Sequence, residues 1–489
     1  MTSEAAKTRT EITRKIQETT TAQASEAEHQ QLIDSLQYET QNERRNQIVD
    51  SYGETFGWIF GPRPGHPSEE NGFTEGSIRA QSSESFLRWL RSDGPSLYWI
   101  SGKAGSGKST FMKFLANDQR TKAALGNCTI VSHFVWMAGH QMQRSTQGLI
   151  CSILRQLLQG DRGLSAWVLD TIPVVRCFRF PGDWPAQDLE AALLVAMTEH
   201  RTPVSLFLDG LDEVAQEEQS RALDLVEKLC SRVPGIRVCL SSRPEQIFQR
   251  RLSAGPTLRL QDLTRDDIRQ YAHGALGGAF NEEDPEFRHL VEQICDNSDG
   301  VFLWVALAVK SLKRGSEDDN TVHELRQRLD ALPKDLHRLY ESMWHRLNDD
   351  EPIYRVDGAQ LLNYVLDGLL PRLWLSNCSL LQVMLARESH MRRRILEENH
   401  TSSAEEWIAC IKKTTKALEA RSAGLLEITT DYDQEPCPRF IHRSAKEFFG
   451  KHAPRPANTQ LRCVNRGGPH IQVEVGIDCS STPERDVPT

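Results

Sequence analysis

"LYWISGKAGSGKSTFMKFLA", residues 97–116, decides how this chain folds. An apolar run ends at Ser101, a glycine-rich turn follows, and Lys108 and Ser109 open a stretch with apolar residues at helical spacing. Gly102, Gly107, Lys108 and Ser109 satisfy G-x-x-x-x-G-K-S/T in the strand–turn–helix setting that the pattern requires. Glycines, Gly105 included, let the backbone bend tightly and aim its N–H groups at phosphate oxygens, and the following helix adds its positive end. Lys108 can neutralise β- and γ-phosphate charge, Ser109 can coordinate Mg²⁺, and Thr110 supports the helix start. Lys103 and Ser106 read as loop filler that contributes only backbone. The bland alternative, a glycine-rich turn that binds nothing, fits this context poorly.

"VSLFLDGLDEV" (204–214) is the second strong feature. Its apolar run ends in Asp209, where a carboxylate emerging beside a phosphate loop can hold Mg²⁺ directly or through water. Asp212 and Glu213 follow, and either could orient or deprotonate an attacking water. "VCLSSRPE" (238–245) ends a further apolar strand at Ser242 and Arg243, and an arginine there could reach a γ-phosphate. Without the phosphate loop, these would read as a solvated acidic turn and a surface arginine.

Outward from these motifs, "SLYWIS" (96–101), "CTIVSHFVWMA" (128–138), "VSLFLD" (204–209), "IRVCLSS" (236–242) and "TLRLQDL" (257–263) are expected strands. "TQGLICSILRQLLQ" (146–159) and "ALDLVEKLCSR" (222–232) are among the expected helices between them. Continuous apolar strands separated by helices predict a parallel sheet covered on both faces. The expected fold is thus an α/β P-loop NTPase core over 76–265. An all-α helical domain follows over 266–348, and a winged-helix-like domain over 349–450, where a helix, a hairpin containing His442 and a second helix succeed one another. Residues 1–31 are polar and expected to be a disordered head, 32–75 a helical linker broken by "GPRPGHPSEENG" (61–72), and 451–489 a disordered tail. "MRRRILEENH" (391–400) reads as a solvated helix face.

The chain has 489 residues, room for about three domains. Its formal charge of −9 disfavours a protein built to grip nucleic acid or an anionic membrane. The start lacks the apolar core of a secretory signal, and the longest apolar run, "GVFLWVALAV" (300–309), is too short to span a bilayer. Eleven cysteines, none close to another, suit free thiols in a reducing cytoplasm better than a metal cluster or a disulfide framework.

Taken in order, "WISGKAGSGKSTFMKFL", "LFLDGLDEV", "LSSRPE", "DGVFLWVALAVKSL", "LPKDLHRLYESM" and "FIHRSAKEFF" resemble fungal NACHT-type proteins of the STAND class, NOD-like receptor relatives. Their nucleotide-binding region is also described as nephrocystin-like. The resemblance runs from about residue 34 to 450. It implies a switch that holds ADP or GDP when closed, then exchanges it for the triphosphate and oligomerises; in such proteins an N-terminal effector domain signals, often towards cell death, and C-terminal repeats sense, so effector or sensor partners are expected. It puts Arg243 at a sensor-arginine position. It makes His442 similar to a winged-helix histidine that contacts the β-phosphate in the closed state; a partly buried structural histidine is the alternative. "DGVFLW" lacks the proline that touches adenine in many relatives, and Arg443 stands where many carry an acid.

Three functions follow as expectations. The first is a nucleotide-dependent signalling switch that binds ATP or GTP with Mg²⁺ and hydrolyses slowly. The second is a turnover P-loop NTPase, motor-like or metabolic; the third is a nucleotide-binding scaffold without hydrolysis. The helical and winged-helix-like units favour the first. No LSGGQ-like signature supports an ABC-type motor.

Overall fold

A computed structural model describes residues 25–61, 75–92, 96–279, 284–317, 321–350, 353–367, 379–388, 393, 403–422, 424–430, 435–452, 461–463 and 473–475. The residues fall into two compact units, 1–334 and 335–489. The first is built on five strands, β1 (Ser96–Ser101), β2 (Thr129–Phe134), β3 (Val204–Asp209), β4 (Arg237–Ser242) and β5 (Thr257–Arg259). All pair in parallel, in the order β2-β3-β4-β1-β5. The strands expected from the sequence are all present, but 128–138 stops at Phe134 and 257–263 at Arg259. The register sets Ser101 opposite Ser242 and Leu208 opposite Leu240, so β4 lies between β1 and β3 with the carboxyl ends of the three side by side. That edge of an open parallel sheet is where ligands bind.

Burial on both faces explains the sequence pattern. β3 is buried at every position. Leu206 and Leu208 join one core layer with Val131, Trp99, Val238 and Leu240, while Phe207 joins the other with Tyr98, Ile100, Phe134 and Cys239. Each such side chain contributes about 1.5–3 kcal/mol by leaving water. Helices complete the layers. In chain order they are α1 (residues 25–35), α2 (Glu43–Gln47), α3 (Glu75–Leu90), α4 (Lys108–Asn117), α5 (Gln119–Leu125), α6 (Thr146–Leu158), α7 (Arg162–Thr171), α8 (Ala186–Thr198), α9 (Gln219–Arg232) and α10 (Gln246–Leu252). α4 buries Phe111, Met112, Leu115 and Ala116, packing on β2, β3 and β4. α6 starts where Ser145 caps it, its side chain accepting from the Gly148 N–H.

The rest of the first unit is helical: α11 (Arg265–Leu276), α12 (Pro285–Ser298), α13 (Phe302–Glu317) and α14 (Val322–Asp330). Asp284 caps α12 ahead of Pro285, and Thr321 with Glu324 forms a capping box on α14. The apolar run at 300–309 is the buried start of α13, with Trp304, Val305, Ala308 and Val309 in the core. No helix among the described residues is long and apolar enough to cross a membrane.

The second unit holds α15 (Leu336–Asp350), α16 (Ile353–Asp367), α17 (Leu380–Arg387), α18 (Ala404–Arg421), the antiparallel hairpin β6 (Leu426–Thr430) and β7 (Pro436–Phe440), and α19 (Arg443–His452). The helix, hairpin and helix read from the sequence are there, with one shift: His442 lies past the hairpin, immediately before α19.

Two boundaries move. α1 begins at residue 25, within the expected head 1–31, and buries His29, which hydrogen-bonds Ser165 at 2.7 Å; residues 1–24 lie outside the described residues. Within 451–489, β8 (Leu461–Cys463) pairs antiparallel with β9 (Val473–Val475). The proline- and glycine-rich break beyond Gly61 and, except for Arg393, the basic stretch at 391–400 also lie outside the described residues. Cys128, Cys151, Cys177, Cys230, Cys239, Cys295, Cys410 and Cys437 are free thiols.

Candidate functional site

β1 runs straight into the glycine loop, and Gly107, at φ 91°, caps α4 at its start. Gly105 has φ 74°, a conformation that side-chain-bearing residues rarely adopt. At Gly102 a Cβ would sit 2.6 Å from the Ser106 hydroxyl, so the loop closes only around a bare backbone. The Lys108 ammonium donates to the carbonyls of Gly102 (2.8 Å) and Lys103 (2.9 Å). Two of its three N–H groups thus brace the loop, and the third remains for a ligand. Burial lowers its pKa, while Asp212 and Asp209 pull the other way. Ser109 and Thr110 occupy the first turn of α4.

Asp209 ends β3, almost wholly buried. Burial raises its pKa, and hydrogen bonds from Ser109 and Ser241 oppose that rise. The Ser241 hydroxyl, on β4, donates to Asp209 Oδ1 at 2.5 Å and accepts from the Gly210 N–H at 3.0 Å. Both of its bonds are thereby assigned, and they orient the carboxylate. The two expected metal residues, Ser109 and Asp209, are brought together. Among the described residues there is no cluster of three His, Cys, Asp or Glu. Mg²⁺ suits such a sparse set, since it keeps several waters and takes the rest of its shell from one or two protein oxygens and phosphates.

Arg243, at the end of β4, is joined to Asp212: its backbone N–H donates to Oδ1 at 3.0 Å, and its Nε lies 3.4 Å from Oδ2. Glu213 accepts the Met137 N–H at 3.0 Å. Both candidate acids therefore already have partners. His442 belongs to the second unit, where its Nδ1 accepts the Ser444 N–H at 3.1 Å and lies 2.7 Å from the Ser444 hydroxyl. An imidazole nitrogen that accepts a backbone N–H carries no proton, so the neutral ring has its proton on Nε2.

Several residues that sequence reasoning passed over shape the loop. Lys103 is not filler: its side chain pairs with Asp299, and its backbone N–H donates to Gln261 Oε1 at 3.3 Å. The Leu303 N–H, in the first turn of α13, donates to the Gly105 carbonyl at 3.0 Å. The Ser106 hydroxyl is buried without a hydrogen-bond partner. Phe56, at φ 69°, sets its ring against Phe111 (5.1 Å between centroids) and Phe302 (6.0 Å), beside Gly107. Its N–H and the Trp58 indole N–H both donate to Asp267, at 3.1 and 2.8 Å. These partners lie far from the loop in sequence, and no local pattern announces them. The G-V-F-L-W run hinted at α13, but not at its contact with the loop.

Residues 80–243 match the family model described as nephrocystin 3, N-terminal. No curated protein matches the chain. Among solved structures, the chain is similar to one titled as Drosophila ORC bound to DNA, with 12% identity and a TM-score of 0.34 over 84% of this chain and 98% of that one. It is similar also to the Aeropyrum pernix ORC2 protein in ADPNP–ADP complexes, with 16% identity and a TM-score of 0.34 over 80% and 95%. The Aeropyrum pernix ORC1 protein in complex with DNA gives 14% identity and a TM-score of 0.34 over 81% and 96%. Likeness at such TM-scores does not identify a shared function.

Proposed function

We propose that the chain is a nucleotide-dependent signalling switch of the STAND/NACHT class, binding ATP or GTP with Mg²⁺ at the carboxyl edge of its parallel sheet and hydrolysing it slowly. One observation carries this reading: the glycine loop, the braced Lys108 and the Ser109–Asp209 pair stand together, while Arg243 is held by Asp212. In this reading Gly102, Gly105 and Gly107 admit the phosphates, Lys108 gives them its third N–H, and Thr110 supports the helix start. Ser109 and Asp209 hold the ion, which when bound neutralises charge on the β- and γ-phosphates.

Slow hydrolysis follows from the acids. Asp212 or Glu213 orients the attacking water, yet Asp212 is tied to Arg243 and Glu213 to the Met137 N–H. Arg243 senses the γ-phosphate by exchanging its partner. The second unit is read as winged-helix-like, with His442 offering its Nε2 proton to the β-phosphate of the closed, diphosphate form. The triphosphate form oligomerises and engages effector or sensor proteins in the cytoplasm, in fungal nonself recognition or programmed cell death. With a net charge of −9, protein rather than nucleic acid is the partner class.

The test is to identify the nucleotide that copurifies with the protein, then to titrate adenosine and guanosine di- and triphosphates into wild type and Lys108→Ala by calorimetry. A retained diphosphate, slow turnover and at least about a tenfold affinity loss in the variant, roughly 1.4 kcal/mol, are expected. Unchanged binding in Lys108→Ala overturns the site; an empty site with fast turnover favours an ordinary enzyme.

A further inference from the structure

Arg44 sits in α2, ahead of the glycine loop in the chain, and no sequence motif marks it. Three contacts fix α2 in place. Gln143 Nε2 donates to the Thr40 carbonyl just before it at 2.9 Å, Arg45 donates to Asn117 at the end of α4 at 3.0 Å, and Lys113, within α4, donates to the Ile48 carbonyl just after it at 2.6 Å. The Gln143 carbonyl accepts the Trp136 N–H at 2.9 Å, just past the end of β2. There Phe134 is the register partner of Asp209, and the Val135 N–H donates to the Asp209 carbonyl at 3.0 Å. α2 is therefore pinned between α4 and the end of β2, the two elements that flank Asp209.

Arg44 Nε is buried there without a hydrogen-bond partner. Several groups around Asp209 already have partners, although one Lys108 N–H is left over. The Asp209 carboxylate takes the Ser109 and Ser241 hydroxyls, Lys108 braces the loop, and Arg243 pairs with Asp212. The Arg44 charge also acts on Asp209, holding its pKa down against burial. A buried guanidinium N–H left without an acceptor is costly, and its planar fork matches phosphate oxygens two at a time.

We propose that Arg44 is a phosphate-binding residue of this site, supplied by the segment ahead of the glycine loop and directed at the terminal phosphate of a nucleoside triphosphate. The proposal rests on the reading of the glycine loop as a nucleotide site. The terminal phosphate is the group concerned because Asp209 marks the metal end, where the ion bridges the β- and γ-phosphates. α2 lies against β2, on one side of Asp209, while Arg243 ends β4 on the other.

The experiment titrates Mg²⁺ with adenosine and guanosine di- and triphosphates into the full chain, its Lys108→Ala variant, Arg44→Ala and Arg44→Lys. Arg44→Ala is expected to lose about tenfold or more in triphosphate affinity, as for one hydrogen-bonded charge, with diphosphate affinity changed less than about twofold. Arg44→Lys keeps charge and bulk without the fork and is expected to fall between; it carries the test should the alanine variant unfold. Equal weakening of both nucleotides, or of neither, overturns the proposal, because a mere counter-charge to Asp209 favours no terminal phosphate. If wild type binds and Lys108→Ala does not, while the Arg44 variants keep the wild-type ratio, the Arg44 assignment alone fails. If wild type binds no nucleotide, the site reading fails and Arg44 with it.

Discussion

Asp209 concentrates the chemistry of the first unit in one carboxylate. It is buried, oriented by Ser241 and joined to Ser109, and burial raises its pKa. Asp209→Asn keeps the shape but removes the charge that attracts Mg²⁺. Calorimetry with and without Mg²⁺ should show the variant losing the Mg²⁺ enhancement of triphosphate binding, together with hydrolysis. In wild type the same enhancement requires the ionised carboxylate. It should therefore disappear on acidification at a pH above that expected for an exposed aspartate. Asp209 and Lys108 were legible in the sequence because each follows an apolar strand in a fixed pattern. Ser241 was not: a serine on a buried strand looks like any small residue until strand pairing brings its hydroxyl to Asp209.

Among the elements, α11 is tied to the segment ahead of the glycine loop through Asp267, which accepts from Phe56 and Trp58 and lies 3.7 Å from Arg79 on α3. Arg79 also reaches Asp266 at 2.7 Å. Burial outweighs these donors and pushes Asp267 up to about 6 from an ordinary 3.8. A raised carboxylate favours the folded state in its protonated form. Its stabilisation is complete below the unfolded pKa and is lost as pH rises towards 6, a change of roughly 3 kcal/mol. Asp267→Asn should lack this component, so denaturant unfolding at a series of pH values should find the variant gaining on wild type between about pH 4 and 7. An unchanged difference across that range would show that Asp267 stays ionised. The helices themselves were readable from their 3.6-residue period. What ties them together was not, because a buried acid such as Asp267 in "RDDIRQYAHGAL" looks identical in sequence to its exposed neighbour Asp266.

For the molecule as a whole, the proposed switch depends on His442 in the second unit. Its Nδ1 accepts the Ser444 N–H, which seats the ring at the start of α19. One hydrogen bond to a charged group is worth about 1.5–3 kcal/mol, enough to change a closed-to-open ratio by roughly 10- to 150-fold. His442→Ala should release diphosphate faster in stopped flow and oligomerise more readily with triphosphate in light scattering. Release at the wild-type rate from an equally monomeric protein would make the histidine a helix cap and nothing more. Most of this architecture could be read from the alternation of strands and helices, while the start of α1 at residue 25 and the position of His442 beyond the hairpin could not. Side-chain periodicity does not register about two turns of helix, residues 25–31, held by a buried His29.

The bond from the Leu303 amide to the Gly105 carbonyl has a consequence for how the chain can vary. Both partners are main-chain atoms, so at Leu303 one side chain can replace another with the bond's chemistry intact, whereas a Cβ at Gly105 would sit 2.8 Å from that of Leu303. Leu303 is the second residue of α13, in the turn whose amides have no acceptor within the helix. The glycine loop supplies one, and in doing so becomes part of the helix's own termination. The link thus demands glycine on the loop side and is indifferent to the side chain on the helix side. At Leu303 proline is the exception: it is tolerated in a helix's first turn, yet it has no amide hydrogen to give.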